Sequence, residues 1–86
     1  MAAGVSKYVD TFDASGDWTL NGSVYERTIT EATHGNGTTP MVQVESGVAA
    51  PFEIVGIIVE ISVLGDVTIR VPATPDQRFA GRAVIL

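Results

Sequence analysis

Cysteine is absent from the 86-residue sequence, and histidine occurs only once. These absences exclude disulfide bonds and the Cys and His ligand sets of structural zinc sites, and no cofactor is expected. A chain of this length without either kind of cross-link usually depends on a very regular core or on a partner surface. Apolar residues nevertheless make up 45% of the sequence. We therefore expect a single domain, residues 1–86, that associates with other chains.

Basic residues and long apolar segments are also scarce. The sequence has five Lys and Arg against ten Asp and Glu, and residues 34–69 contain no Lys or Arg. Nucleic-acid binding needs grouped cations, so nucleic acid is not an expected partner. The most hydrophobic window, residues 49–65, holds two glutamates, a proline and two glycines, which argues against a membrane span. No basic leader opens the chain, so we expect no signal peptide and no membrane partner.

Helical periodicity is missing, whereas strand signals recur along the chain. β-Branched residues alternate with polar residues in short runs that Gly, Asn, Asp and Pro separate. Besides two hairpins, strands are predicted around residues 7–12, 25–30, 41–45 and 82–86. This pattern predicts an all-β fold, a small antiparallel β-sandwich or barrel of about six to eight short strands.

The first predicted hairpin pairs the runs VEISV and VTIRV. A loop of residues 64–66 places Ile61 opposite Ile69 and, on the other face, Glu60 opposite Arg70. A loop one residue shorter would move one apolar set to the wrong face. We therefore predict that the cross-strand pair of Glu60 and Arg70 helps to fix this register.

The second predicted hairpin turns at Asn21 and Gly22, because Asn-Gly is the strongest short hairpin signal. A two-residue loop at these positions places Trp18 opposite Tyr25. We therefore predict an aromatic cross-strand pair here.

The segment IVGIIV, residues 54–59, is apolar throughout and does not alternate. Such a run suits either a strand buried on both faces or a subunit interface. A single small sandwich buries only one face of each strand, so we favour an interface. The predicted interface residues are Ile54, Val55, Ile57, Ile58 and Val59.

The stretch THGNGTTP contains the lone histidine, His34. Imidazole alone makes neither a zinc site nor a catalytic base with a defined partner, and no nucleophile motif occurs in the chain. Gly35 and Gly37 flank an asparagine, as in tight turns, and lack the following Lys and Ser or Thr of a phosphate loop. We predict that His34, Gly35 and Gly37 fix a turn before the strand at 41–45, and that the protein is not an enzyme.

The stretch DTFDASGDW is rich in oxygen ligands, since it contains Asp10, Asp13, Ser15 and Asp17. Oxygen-rich loops bind calcium, but the spacing does not match an EF-hand loop. A solvated turn in which an aspartate accepts backbone hydrogen bonds is the simpler interpretation. Calcium binding stays open at this point.

Three segments together resemble small β-domains of tailed-bacteriophage virion proteins, which occur in tail fibres, baseplates and head-associated proteins. They are Y-x-x-T-I-x-x-x-x-H-G-x-G-x-x-P-x-V-Q-V at residues 25–44, G-D-V-T-I-x-V at 65–71 and P-D-x-R-F-A-G-R at 75–82. The resemblance implies a non-enzymatic building block with a β-sandwich fold, often trimeric or symmetrically arrayed.

The same resemblance implies a place in the virion, with the major capsid or a tail protein as partner and with self-association. The chain begins with Met1 and lacks the coiled-coil or collagen-like repeat of a fibre shaft, so we expect a capsid-associated decoration (cement) protein. A tail-fibre or baseplate β-domain is one alternative. A carbohydrate- or receptor-binding module is another, in which Trp18, Tyr25 and Tyr8 would line the groove.

Overall fold

The structure, a computed structural model, describes residues 7–86. Within these residues, eight strands form two antiparallel sheets of four strands each, and one single-turn helix lies between them in sequence, which confirms the predicted all-β sandwich. In chain order the elements are β1 (Tyr8–Phe12), β2 (Thr19–Asn21), β3 (Val24–Ile29), α1 (Glu31–His34), β4 (Val42–Ser46), β5 (Glu53–Ile54), β6 (Ile58–Ile61), β7 (Val67–Pro72) and β8 (Gly81–Ile85).

The strand order is β1-β8-β4-β5 in the first sheet and β2-β3-β7-β6 in the second. The chain changes sheet four times, between β1 and β2, at α1, between β5 and β6, and between β7 and β8. The strands predicted around residues 7–12, 25–30, 41–45 and 82–86 correspond to β1, β3, β4 and β8, with boundaries that differ by at most one residue. Within residues 7–86, no helix has the length and hydrophobicity needed to cross a membrane.

The core lies between the two sheets and follows the period-2 pattern of β7 and β8. Val67, Ile69 and Val71 of β7 are buried, and so are Ala83 and Ile85 of β8. The residues between them in sequence are half-buried and polar in β7, as expected for a sheet with one face toward the core. Fully burying a Val or Ile side chain stabilises the fold by about 1.5–3 kcal/mol, so this alternation determines which face of each sheet is inward.

Three aromatic side chains close one part of the core. Phe12, Trp18 and Phe79 meet with ring centroids 5.3 to 5.6 Å apart. The Trp18 indole N–H donates a hydrogen bond to the carbonyl oxygen of Phe79 at 3.1 Å. Trp18 is therefore a core residue whose single polar atom is satisfied.

The predicted register of the β2–β3 hairpin was wrong by two residues. Leu20, and not Trp18, lies opposite Tyr25. The two-residue loop is formed by Gly22 and Ser23, because the backbone of Gly22 has φ +64° at the first loop position. Glycine adopts this conformation at little cost, and it is the conformation that a two-residue hairpin turn requires.

The predicted register of the β6–β7 hairpin was also wrong by two residues. Ile61 lies opposite Val67, and not opposite Ile69. Ser62 and Asp66 close the loop of this hairpin, and the Ser62 backbone N–H donates a hydrogen bond to the Asp66 carbonyl oxygen at 2.9 Å. The Ser62 hydroxyl also accepts a hydrogen bond from the Asp66 N–H at 3.1 Å. This local bonding favours the observed loop, and a shift of two residues keeps every side chain on its predicted face.

The segment 54–59 is not one continuous strand. It ends β5 and begins β6, and between them Val55, Gly56 and Ile57 carry the chain from one sheet to the other. Val55 and Ile57 are half-buried and contact the core. The uniform apolar pattern arises because a chain that changes sheet also changes which of its faces is inward.

An ion pair connects the two sheets. The Arg27 guanidinium on β3 donates two hydrogen bonds to the Asp10 carboxylate on β1, from Nε to Oδ2 at 2.6 Å and from Nη2 to Oδ1 at 2.7 Å. Arg27 Nη1 also donates to the carbonyl oxygen of Asp17 at 3.1 Å. Asp10 is buried, so a charged fork with two parallel hydrogen bonds holds this edge of the sandwich closed.

Candidate interaction surface

Large apolar side chains remain in solvent along the edge of the sandwich where β5 and β6 lie. Exposed fractions reach 72% for Ile54, 63% for Ile58 and 92% for Val63. Several exposed apolar side chains at one edge are typical of an interaction surface. We call this surface the β5/β6 strip, and its members are Ile54, Ile58, Val59, Ile61, Val63 and Leu64.

The strip contains three of the five predicted interface residues. Ile54, Ile58 and Val59 are exposed, whereas Val55 and Ile57 are half-buried and pack against the core. The strip also includes Ile61, Val63 and Leu64, which belong to the hairpin predicted from the sequence. Their exposure follows from the position of β6 at the end of its sheet, which the alternating pattern of β6 did not show.

A cleft of about 620 Å³ opens beside the strip, between the β5–β6 crossing and the β7–β8 connection. Its apolar lining includes Val55, Ile57 and Phe79, and Arg70 and Gln77 supply polar groups. Clefts of this size and composition hold apolar groups and orient them with a few polar contacts. The cleft therefore extends the apolar contact surface inward from the strip.

Arg70 lies on the outer face of the second sheet between two glutamates. Its guanidinium contacts Glu60 on β6, with Nη1 3.0 Å from Oε2, and Glu26 on β3 through Nε. Glu60 and Arg70 are diagonal neighbours, because Glu60 lies directly opposite Thr68. Hydrogen bonds from Asn21 and then from Arg70 hold the pKa of Glu26 below its ordinary value. The charges of Glu26, Glu60 and Arg70 are thus paired within the chain.

His34 is buried at the end of α1, and both of its ring nitrogens are in use. Nε2 lies 2.6 Å from the carbonyl oxygen of Gly65, and Nδ1 accepts a hydrogen bond from the backbone N–H of Asn36 at 3.0 Å. An acceptor at Nδ1 implies a proton on Nε2, which donates to Gly65. A ring held at both nitrogens joins two loops and has no site left for a substrate proton.

The two glycines next to His34 shape the same connection. Gly35 ends α1 in the left-handed conformation with φ +69°, and Gly37 has φ +79°. At the other end of the helix, the Asp66 carboxylate accepts a hydrogen bond from the Glu31 N–H at 2.8 Å. The connection from β3 to β4 is therefore tied to the β6–β7 loop at both ends of α1.

The aspartate-rich loop satisfies its own backbone. Asp13 Oδ1 accepts hydrogen bonds from the N–H groups of Ser15 at 2.8 Å and Asp17 at 3.2 Å. These hydrogen bonds, with that from Ser15 the stronger, hold the pKa of Asp13 below its ordinary value. Across residues 7–86, no three side chains of His, Cys, Asp or Glu gather in a way that suits a metal ion.

The aromatic side chains proposed for sugar binding do not form an open platform. Trp18 is only 5% exposed and contributes to the core. Tyr25 is covered by the guanidinium of Arg78, whose Cζ lies 4.2 Å from the ring centroid. Tyr8 is half-buried and contacts the core. Stacking against a sugar needs an exposed ring face, so Trp18 cannot serve in this way.

Comparisons with known proteins give no relative. The chain matches no family model, no curated protein and no solved structure at a significant level.

We expect stability to depend on acid through paired carboxylates such as Glu45. Hydrogen bonds from Arg82 and then Gln43 hold its pKa below the ordinary value of 4.5. A carboxyl whose pKa is lower in the folded than in the unfolded chain stabilises the fold above the unfolded value, and this contribution disappears as the pH falls through the folded value. The free energy of unfolding, measured with urea, should therefore decline below pH 4.5.

The matched variant for this prediction is Arg82→Gln, which removes the first donor to Glu45. Its loss of stability between neutral pH and pH about 3 should be smaller than that of the unaltered protein, because the pKa of Glu45 then lies closer to its unfolded value. An identical pH profile for both proteins would show that the pair does not affect stability.

Proposed function

We propose that this protein is a non-enzymatic structural component of a bacteriophage particle, in the form of a small capsid-associated decoration protein. The observation that carries the proposal is the β5/β6 strip, where Ile54, Ile58 and Val63 are more than half exposed. Such a surface gains free energy by burial against another protein, at roughly 25 cal/mol per Å² of apolar area.

The pairing of charged groups supports a structural role over a catalytic one. Arg27, Arg70, Arg78 and Arg82 each form an ion pair within the chain. His34 is held at both nitrogens. Catalytic acids and bases face a cleft with their proton sites open to substrate, whereas the cleft beside the strip is mainly apolar.

The resemblance of residues 25–44, 65–71 and 75–82 to virion β-domains supports the choice of a phage particle. It favours the virion as location and the major capsid protein as partner. A tail-fibre or baseplate β-domain would use the same strip against a tail protein. A decoration protein should therefore bind phage heads, and a fibre or baseplate domain should bind phage tails.

The test is binding to purified heads and tails that lack this protein, measured by co-sedimentation, together with resistance of the heads to heat. We expect saturable binding to heads and a higher temperature of DNA or protein release. Ile58→Asp should abolish both effects, because burying an unpaired carboxylate in the contact is costly. Val48→Asp is the matched control, since Val48 is 89% exposed and lies outside the strip.

Binding to tails alone would favour the fibre or baseplate alternative. Absence of binding to either part would overturn the proposal, as would normal binding by Ile58→Asp. Circular dichroism of both variants establishes that each is folded before binding is measured.

A further inference from the structure

The four edges of the two sheets differ in how they are protected against pairing with another strand. The edge strands β2 and β5 have only three and two residues. β1 is longer but has Lys7 before it and the inward-pointing charge of Asp10 within it. Short strands, lysines and inward charges are the devices that keep edges from pairing. β6 (Ile58–Ile61) contains none of them, and its one charge, Glu60, is paired with Arg70 on the outer face.

The outer edge of β6 offers backbone groups for a further strand. The hydrogen bond from the Ser62 N–H to the Asp66 carbonyl oxygen marks a hydrogen-bonded pair at the end of the β6–β7 ladder. Hydrogen-bonded and non-bonded pairs alternate in antiparallel sheets, so the N–H and C=O groups of Ile61 and Val59 point away from β7. These groups are spaced to receive another strand.

The sequence around this edge is self-complementary. The segment VEISV is symmetric about Ile61 in its apolar and polar positions. A two-fold contact places the same patch of both copies together, so it requires this kind of symmetry. We propose that β6 pairs antiparallel with β6 of a second copy about a two-fold axis at Ile61, which joins the two four-stranded sheets into one sheet across the dimer.

More than one register of the two β6 strands would use the outward N–H and C=O groups of Val59 and Ile61. The charge of Glu60 distinguishes between these registers. A two-fold axis at Glu60 would place two glutamates directly opposite each other, which is destabilising. An axis at Ile61 places Glu60 opposite Ser62 of the second copy, and it brings Val59 near Val63, which lies in the turn that follows β6. The Ser62 hydroxyl accepts hydrogen bonds from the N–H groups of Leu64 and Asp66, so its own proton is left to donate to that carboxylate.

This inference rests on the proposed function in one respect, since it names a partner for the same strip. Edge pairing buries Ile61, Val59 and Val63 and leaves the cleft and Ile54 for a capsid protein. A two-fold contact gives a dimer as the unit, in place of the trimer that the resemblance implies.

The first measurement is the mass in solution by light scattering over a range of concentrations. We expect twice the monomer mass of 9.0 kDa, with a dimer that tightens as salt is added, because each copy has a net charge of −5. Val63→Lys should shift the protein to monomer, and Val48→Lys should leave the dimer intact. Val63 and Val48 are 92% and 89% exposed, so neither change should impair folding.

The second measurement uses the absence of cysteine in the natural sequence. Opposed residues in a hydrogen-bonded antiparallel pair have Cα atoms about 5.5 Å apart, which suits a disulfide. Ile61→Cys should therefore form a covalent dimer under mild oxidation, whereas Thr11→Cys on the edge strand β1 should not. A monomer at every concentration, or equal cross-linking of both variants, would overturn the inference.

The two proposals fail separately. A monomeric protein that still protects heads, and loses this protection with Ile58→Asp, would overturn the dimer and leave the decoration role supported. A dimer that cross-links through Ile61→Cys but binds no phage part would support the edge pairing and overturn the decoration role.

Discussion

Replacing Arg27 with methionine is expected to lower the free energy of unfolding by about 3–5 kcal/mol, because the change leaves a buried carboxylate without its partner. Asp10 is 7% exposed and accepts two hydrogen bonds from the Arg27 guanidinium. Methionine retains much of the aliphatic side chain, so the expected loss reports on the charge and its hydrogen bonds. Urea unfolding at neutral pH measures it.

A matched control is Arg78→Met, which breaks the exposed pair of Arg78 and Asp76 and the stacking of Arg78 on Tyr25. Exposed ion pairs contribute at most about 1 kcal/mol, so the free energy of unfolding of this variant should be close to that of the unaltered protein. The double variant Asp10→Leu with Arg27→Met should regain part of the stability, because neither change then leaves a buried charge. Equal losses for Arg27→Met and Arg78→Met would contradict the importance of burial.

The local sequence predicted the strands more closely than their registers. The alternation of Val67, Ile69 and Val71 with polar residues gave the buried face of β7 correctly. Both hairpins were nevertheless shifted by two residues, because such a shift keeps each side chain on the same face and leaves the pattern unchanged. The turn geometry at Gly22 and the hydroxyl of Ser62 decided between registers that the pattern could not separate.

The local alternation of apolar and polar residues did not predict the contacts between the two sheets. The pair of Asp10 and Arg27 joins residues that are 17 positions apart and lie on different sheets. Nothing in the alternation of β1 or β3 indicates that a charge at these positions points inward. The apolar segment 54–59 did indicate an unusual surface, but which of its residues are exposed depends on the change of sheet at Gly56.

The two lateral edges of the sandwich differ in a way that bears on both proposals. At the edge of β1 and β2, the ion pair of Asp10 and Arg27 and the ring cluster around Trp18 close the gap between the sheets. At the edge of β5 and β6, Ile54 and Ile58 stay in solvent, and a cleft opens between the sheets. A domain with one edge closed by its own residues and the other left apolar is suited to contact through the second edge.

Gly65→Ala is expected to destabilise the fold by about 3 kcal/mol or more, since two costs act together. Gly65 has φ +92°, a conformation that costs a residue with a Cβ of the order of 1–3 kcal/mol. A Cβ at this position would also overlap the backbone of Gly37, well inside van der Waals contact with its carbonyl oxygen, and would lie 3.0 Å from Thr38 Cα. Relieving this overlap would separate the two loops and lengthen the hydrogen bond from His34 to Gly65.

Gly22→Ala is the matched control, because it isolates the backbone cost from the overlap. Gly22 has φ +64°, but no atom lies within 4 Å of a Cβ built there. Gly22→Ala should therefore lower the free energy of unfolding, measured with urea, by only about 1–2 kcal/mol. The difference between the two variants measures how closely the connection from β3 to β4 contacts the β6–β7 loop. Equal losses would mean that the loops separate freely, in which case His34 would not hold the hairpin that presents Val63 and Leu64 to a partner.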